Sequence, residues 1–375
     1  MKRKLALMVV VLCLAGAAWG AWDFFQPYSG YEAPVVLEIP SGTGAPEVAD
    51  LLVSRGVLAH RLPFIFRYWI GRTHHRLKAG EYLFDRPLRP LDIYRKLIVG
   101  DVILYSVVIP EGSDRFDIAR ILAARMSIDP TEFLQRTEKT TLIHDLDPGA
   151  PTLEGFLFPD TYRFPGHVTA DTIIATMVGR FRHVIRTKLH DDFVPGSSDL
   201  HAVVTLASLV EKETPDPAER PVVAGVFTRR LEKHMPLQCD PTVIYAARLA
   251  DRPIPVIHAS DLKFDSPFNT YLHGGLPPGP IANPGEISLR AAFHPADGDE
   301  LYFVSNNHGG HVFAKTLAEH QHNVAVYRRE IAAERRQASA EAMPKTPGPP
   351  VKAKATRTRG AKKSVTQSQQ KADPS

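Results

Sequence analysis

Ile39-Pro40-Ser41-Gly42 and Ile109-Pro110-Glu111-Gly112 stand 70 residues apart. Each follows an apolar run and precedes an amphipathic one: Val48-Ala49-Asp50-Leu51-Leu52 in the first copy, Ile118-Ala119-Arg120-Ile121-Leu122 in the second. Proline presets φ and glycine admits positive φ, so each tetrapeptide reads as a turn. The runs before them, Val35–Ile39 and residues 102–109, have the β-branched content of strands, and the runs after them have helical spacing. Strand, turn and helix in that order, twice, predict an α+β fold. Two copies are too few for a solenoid. They form a repeated unit of one small domain, or two convergences on one good turn.

Working outward, residues 62–70 read as an aromatic-rich helix, residues 78–84 as a turn into a strand, and Pro90–Val99 as a short helix. From about Pro130, helices alternate with proline-rich loops as far as Arg336. The helix candidates are residues 170–190, Leu200–Glu213, residues 219–233 and residues 242–249, the last opened by Asp240-Pro241 with Asp240 read as its cap. A late strand, 301–305, and a closing helix, 317–333, complete the pattern. From Ser339 onward the chain is rich in Lys, Pro, Ser, Gln and Ala and has no aromatic residue, the composition of disorder.

At the other end, Lys2-Arg3-Lys4 precede an uncharged stretch from Leu5 to Trp22, close to the roughly 20 residues that span a bilayer as a helix. Cations before the stretch and none just after it predict a cytoplasmic N-terminus and an outward-facing body. Trp19 and Trp22 suit the outer interface, which favours a retained anchor. Ala15-Gly16-Ala17 keeps a cleaved signal peptide open as the alternative.

The net charge of +4 is an average over unlike parts. Residues 337–375 hold eight Lys and Arg against Glu341 and Asp373, so the chain before them is net negative. That excludes a basic nucleic-acid groove in the folded part. Two cysteines, Cys13 and Cys239, make no disulfide framework. The histidine-rich segments 306–311 and 320–322 lack a helix-face ligand spacing such as HExxH, so no metal is expected.

The densest polar cluster ends an apolar helix: Leu209-Val210-Glu211-Lys212-Glu213-Thr214. Val203, Leu206, Ala207 and Val210 recur with helical period and define a buried face. Glu211 falls at the edge of that face, where apolar surroundings favour the neutral carboxyl that a general acid needs. Glu213 projects roughly 200° away around the helix, so the two cannot easily serve one reacting group. The bland alternative is a helix that simply ends in solvated charge. Three further clusters surround it in sequence. Residues 236–242 offer Gln238 and Thr242 near a helix start. Residues 266–284 join Asn269 and Tyr271 to a rigid Pro/Gly loop, whose amides need partners unless it stays at the surface. Residues 152–162 set Glu154 in an apolar run, as in a loop buried beneath a site.

In this order the clusters resemble the endolytic murein transglycosylase, or YceG-like, family. The matching segments are residues 152–162 (TLEGFLFPDTY), 206–214 (LASLVEKET), 219–231 (ERPVVAGVFTRRL), 235–245 (MPLQCDPTVIY), 266–284 (SPFNTYLHGGLPPGPIANP) and 301–319 (LYFVSNNHGGHVFAKTLAE). The resemblance implies Glu211, the first Glu of VEKET, as the catalytic acid/base. It implies cleavage of the β-1,4 bond between N-acetylmuramic acid and N-acetylglucosamine inside a glycan strand, leaving a 1,6-anhydromuramic end. Glu154, Gln238, Asp240, Thr242, Asn269 and Tyr271 become the expected substrate-binding residues, and no cofactor is implied. The expected architecture is a cytoplasmic N-terminus and transmembrane helix over 1–25, a linker over 26–34, and a small LysM-like α+β subdomain over 35–105. A larger α+β catalytic domain over 106–336 and a disordered basic tail over 337–375 follow. The expected location is the inner membrane, single-pass, with the catalytic domain periplasmic. Peptidoglycan glycan strands are the expected partner, and the resemblance adds peptidoglycan synthases and elongation or division proteins. A non-catalytic peptidoglycan-binding scaffold and a hydrolase using Glu211 with water are the competing readings. Cys239, Phe268 and His294 depart from the family's usual small hydroxyl residue, Tyr and Asn.

Overall fold

Gly42 and Gly112 both take positive φ, 85° and 72°, so the two Pro/Gly turns close as their sequences require. In the computed structural model, which describes residues 2–71, 76–191 and 200–342, each turn joins a strand to a helix. The chain divides into two compact units, Met1–Tyr327 and Arg328–Ser375.

The first unit opens with α1 (Lys2–Phe25), followed by β1 (Val35–Ile39), α2 (Ala45–Ser54), α3 (Arg61–Gly71), β2 (Gly80–Phe84) and α4 (Pro90–Val99). β1 and β2 pair antiparallel, with Leu37 opposite Tyr82 and Ile39 opposite Gly80. Alternate residues of both strands point into one core with Val48 and Leu52 of α2, Phe64 of α3, and Ile93 and Leu97 of α4. α4 ends as its sequence prescribes: Gly100 in the left-handed conformation returns its amide to Lys96.

A second core begins at β3 (Leu104–Val108), followed by α5 (Arg115–Met126), α6 (Pro130–Thr137), β4 (Thr161–Pro165), α7 (Ala170–Lys188), α8 (Leu200–Glu213), α9 (Arg220–Glu232), α10 (Asp240–Leu249) and α11 (Glu286–Phe293). β5 (Tyr302–Ser305) and β6 (His311–Ala314) form a hairpin. β3 pairs antiparallel with β4, Ser106 opposite Arg163. The first core spans residues from Leu37 to Leu97 and the second from Val107 to Ala292. Polar contacts join them: the Ile103 amide donates to the Glu81 carbonyl at 2.7 Å, and the Tyr105 hydroxyl to the Glu81 carboxylate at 2.7 Å.

Three differences from the sequence expectation have physical reasons. β4 was not expected, because a five-residue run ending on proline carries little strand signal. Its Tyr162 and Phe164 point inward all the same. β6 begins at His311, in the histidine-rich segment 306–311 where no strand was expected. The closing helix α12 (Leu317–Ala342) runs past Ala333 and past the expected end of the folded part at Arg336. Residues 328–342 are the described part of the second unit, all within that helix. The expected disordered tail otherwise falls at 343–375, outside the described residues.

Candidate active site

α8 is buried on every side from Val204 to Val210, rather than along one stripe. Its neighbours are α9, α10 and α11. Val203, expected on the buried face, is only partly covered, while Thr205 and Ser208 lie inside. Glu211 therefore emerges directly from the core, and its side chain is 4% exposed. One carboxylate oxygen accepts from Arg220 Nη2 at 2.8 Å, and the other from the Gly285 amide at 2.9 Å. Gly285 is the cap position of α11, so the carboxylate sits at a helix N-terminus. Ser288, in the first turn of α11, turns a buried hydroxyl toward the same carboxylate, and that hydroxyl makes no hydrogen bond of normal geometry.

Burial raises the Glu211 pKa above the usual carboxyl value. The Gly285 amide and the Arg220 guanidinium pull it back, and the Glu111 carboxylate adds a small upward push. Arg220 is the hub of this arrangement: it is buried and also reaches Glu111 at 3.5 Å. Glu111 comes from the second Pro/Gly turn and is half exposed at the rim. Lys212 Nζ binds the Gly112 carbonyl at 3.0 Å, holding that turn against the end of α8.

Beneath the carboxylate lies a sealed polar network. Asn283 donates to the Ser113 carbonyl at 2.9 Å and to Glu154 at 2.8 Å, and accepts from the Leu157 amide at 2.8 Å. Glu154 also accepts from the Arg115 amide and from the Tyr245 hydroxyl at 3.0 Å. Burial first, and Asp114 second, push Glu154 up to about 8. The Pro/Gly loop of 275–284 is tied to α8 where the Ile281 amide meets the Ser208 hydroxyl at 3.0 Å. The Asn283 amide, in the same loop, donates to the Ser113 carbonyl at 3.0 Å.

The expected substrate-binding residues separate into two groups. Glu154, Thr242 and Asn269 are buried and cannot touch a ligand from where they stand. Thr242 bonds the Cys239 carbonyl and the Thr270 hydroxyl, and Asn269 bonds the carbonyls of Leu262 and Phe264. These three side chains spend their hydrogen bonds inside the protein. Gln238 and Asp240 are exposed, Gln238 with φ at 51°, and Tyr271 is half-buried. Asp240 does not cap α10, as the sequence suggested. It is the helix's first residue, Cys239 holds the cap position without a side-chain bond to the helix amides, and the Asp240 carboxylate accepts from the Tyr271 hydroxyl at 2.6 Å. Glu213 accepts from the Cys239 thiol at 3.4 Å, away from the Glu211 contacts, and burial raises both groups. His311 is engaged by Glu219 through its amide and its ring. Among the described residues, no group of three or more His, Cys, Asp or Glu is placed to hold a metal ion.

Arg220, Glu111, Gly285 and Asn283 were not singled out by sequence reasoning. Arg220 and Asn283 lie inside segments that match the family and Glu111 in the second Pro/Gly turn, but what unites the four is spatial. The one available signal was that a buried Glu211 requires a partner.

A single buried carboxyl poised at a helix N-terminus beside a buried arginine, in an α+β frame, defines an acid/base site without a metal cluster among the described residues. The profile of the YceG-like family matches residues 37–326. The chain belongs to that family. It is 34% identical over 304 residues to the endolytic murein transglycosylase of Bacillus subtilis (strain 168), covering 76% of this chain and 82% of the relative. It is 29% identical over 320 residues to the endolytic murein transglycosylase of Streptococcus pneumoniae (serotype 2, strain D39), covering 78% of this chain but only 58% of that longer relative. A crystal structure of a YceG-like protein from Listeria monocytogenes superposes with a TM-score of 0.53 at 32% identity, covering 78% of this chain and 99% of that one.

Proposed function

We propose that this chain is an endolytic peptidoglycan lytic transglycosylase and that Glu211 is its catalytic acid/base. The relatives named above support the activity, and the observation that carries the residue is the Glu211 environment: a 4%-exposed carboxyl raised by burial, fixed on both oxygens. Glu211 protonates the glycosidic oxygen as the C1–O bond breaks. As a carboxylate, it then takes the proton of the muramic C6 hydroxyl, whose oxygen forms the new bond to C1. The net change moves one proton from O6 to the leaving oxygen and consumes no water. The Gly285 amide and Arg220 stabilise the carboxylate formed midway. The arrangement needs no second carboxylate at the ~5 Å spacing of retaining hydrolases. Gln238, Asp240 and Tyr271 contact the glycan, Thr242 and Asn269 hold that segment in position from beneath, and Glu154 braces the network under Glu211.

The N-terminal helix is read as a single-pass inner-membrane anchor with the body periplasmic, and residues 35–105, which hold the first core, as a LysM-like subdomain. The catalytic domain of 106–336 meets glycan strands, and synthases and elongation or division proteins are its further partners. Glu211→Gln tests the central claim on isolated sacculi. The wild-type chain releases anhydromuropeptides and the variant, folded by circular dichroism, releases none. Products one water heavier would identify a hydrolase instead, and unchanged anhydro product from the variant would remove Glu211 from the chemistry.

A further inference from the structure

α3 has two apolar faces. Phe64 fills the first core, and on the opposite side Leu62, Phe66 and Ile70 form a stripe at i, i+4 and i+8 that is 64%, 63% and 55% exposed. Three large apolar side chains in one stripe on the outside of an 11-residue helix are more than scattered surface residues explain. The stripe continues into α1. A cavity of about 560 Å³ runs between Gly16, Trp19 and Phe24 of α1 and Leu62, Phe66 and Ile70 of α3. The Trp19 ring lies 5.0 Å from that of His60, just before α3. The apolar span of α1 covers Arg3–Gly20, so the part of α1 that touches α3 is the span's outer end. A stripe packed against that end lies at the depth of the outer headgroups. Arg61, which also reaches Asp50 at 3.2 Å, and Arg67 flank it, and the first turn of α3 has no acidic residue, the pattern of a helix lying at a bilayer interface.

We propose that α3 docks in the outer leaflet of the membrane, with Leu62, Phe66 and Ile70 among the acyl chains just below the headgroups, so that the first subdomain lies on the bilayer beside its own anchor. This rests on reading α1 as a retained span. Two points of attachment then fix the orientation of the body, where a span and a linker alone would leave it free to swing.

The test uses the full chain with Trp19 and Trp22 replaced by phenylalanine, so that Trp69 on α3 is the only tryptophan left. It is reconstituted in vesicles of phosphatidylethanolamine and phosphatidylglycerol carrying lipids brominated either near the headgroup or near the chain end. Trp69 loses emission to the shallow bromines and less to the deep ones, and Leu62→Gln/Phe66→Gln/Ile70→Gln restores it. Alkaline carbonate extraction separates the two ideas. A chain that resists extraction while Trp69 keeps its emission overturns the docking and leaves the anchor standing. A chain released by carbonate overturns both. Shielding of Trp69 that follows protein density rather than bromine identifies a second copy on this face and also overturns the docking.

Discussion

Glu211 is held between opposing influences, and each is a separate residue. Burial favours the acid, whereas Arg220 and the Gly285 amide favour the anion. A general acid works while protonated, so the rate falls as pH rises through its pKa. Glu111→Gln removes a nearby negative charge, lowers that pKa and moves the alkaline limb of the pH–rate profile to lower pH. Arg220→Met removes the cation and moves the limb to higher pH. The profile of anhydro-product release from sacculi measures both, and shifts of the same sign in the two variants would contradict the assignment. Arg220→Met also leaves a buried charge unpaired, which costs about 3–5 kcal/mol when the carboxyl is ionised. Its instability therefore grows with pH. Glu154 makes a different prediction because it is buried away from ligand. Its folded pKa of about 8 exceeds the reference 4.5, so the folded state keeps the proton longer than the unfolded one. The associated stability is complete below pH 4.5 and is lost up to pH 8 at about 1.4 kcal/mol per unit. Glu154→Gln flattens this slope, as urea unfolding at pH 5 and pH 8 measures. Parallel slopes in the two proteins would mean that Glu154 stays ionised throughout.

Among the elements, α8 and the loop of 275–284 act as one piece. Ser208 is inside α8, donates to the Thr205 carbonyl and accepts the Ile281 amide. Ser208→Ala orphans that amide, a loss of about 1–3 kcal/mol in denaturant unfolding. Serine replaced at no measurable cost would show that the loop is held by its prolines and by the Asn283 network instead. This pairing also shows what the sequence could convey. The periodicity of Leu200–Glu213 located the helix to the residue and put Glu211 at the edge of its buried face. Pro90–Val99 and Val35–Ile39 were equally readable, because proline, glycine and β-branched runs act locally. Arg220, Glu111 and Gly285 were not readable, since no local rule links positions 111, 211, 220 and 285. The same holds for Glu154, Thr242 and Asn269: the resemblance implied ligand contact, and only packing reveals that their hydrogen bonds are satisfied internally. β4 was missed because its pairing with β3 spans a helix pair and a long loop.

The molecule's first unit contains two hydrophobic cores that meet through polar contacts, and this division governs how it unfolds. Phe84 and Tyr82 are fully buried in the first core, and Phe156 and Phe181 in the second, where their rings pack at 5.1 Å. Among the described residues the ties between them include Ile103 to Glu81, Tyr105 to Glu81 and the exposed His167–Glu38 pair, all partly solvated. Contacts of that kind contribute little beside a buried aromatic side chain. Phe84→Ala removes about 3–5 kcal/mol from the first core. Calorimetry of the wild-type chain in detergent resolves two transitions, and the variant lowers only one of them. Glu211, Arg220 and Gly285 all belong to the second core, so at temperatures between the two transitions the variant still converts short glycan fragments to anhydro products. A single transition that moves as a whole would show instead that the polar seam couples the cores, and that the site depends on the subdomain nearest the membrane.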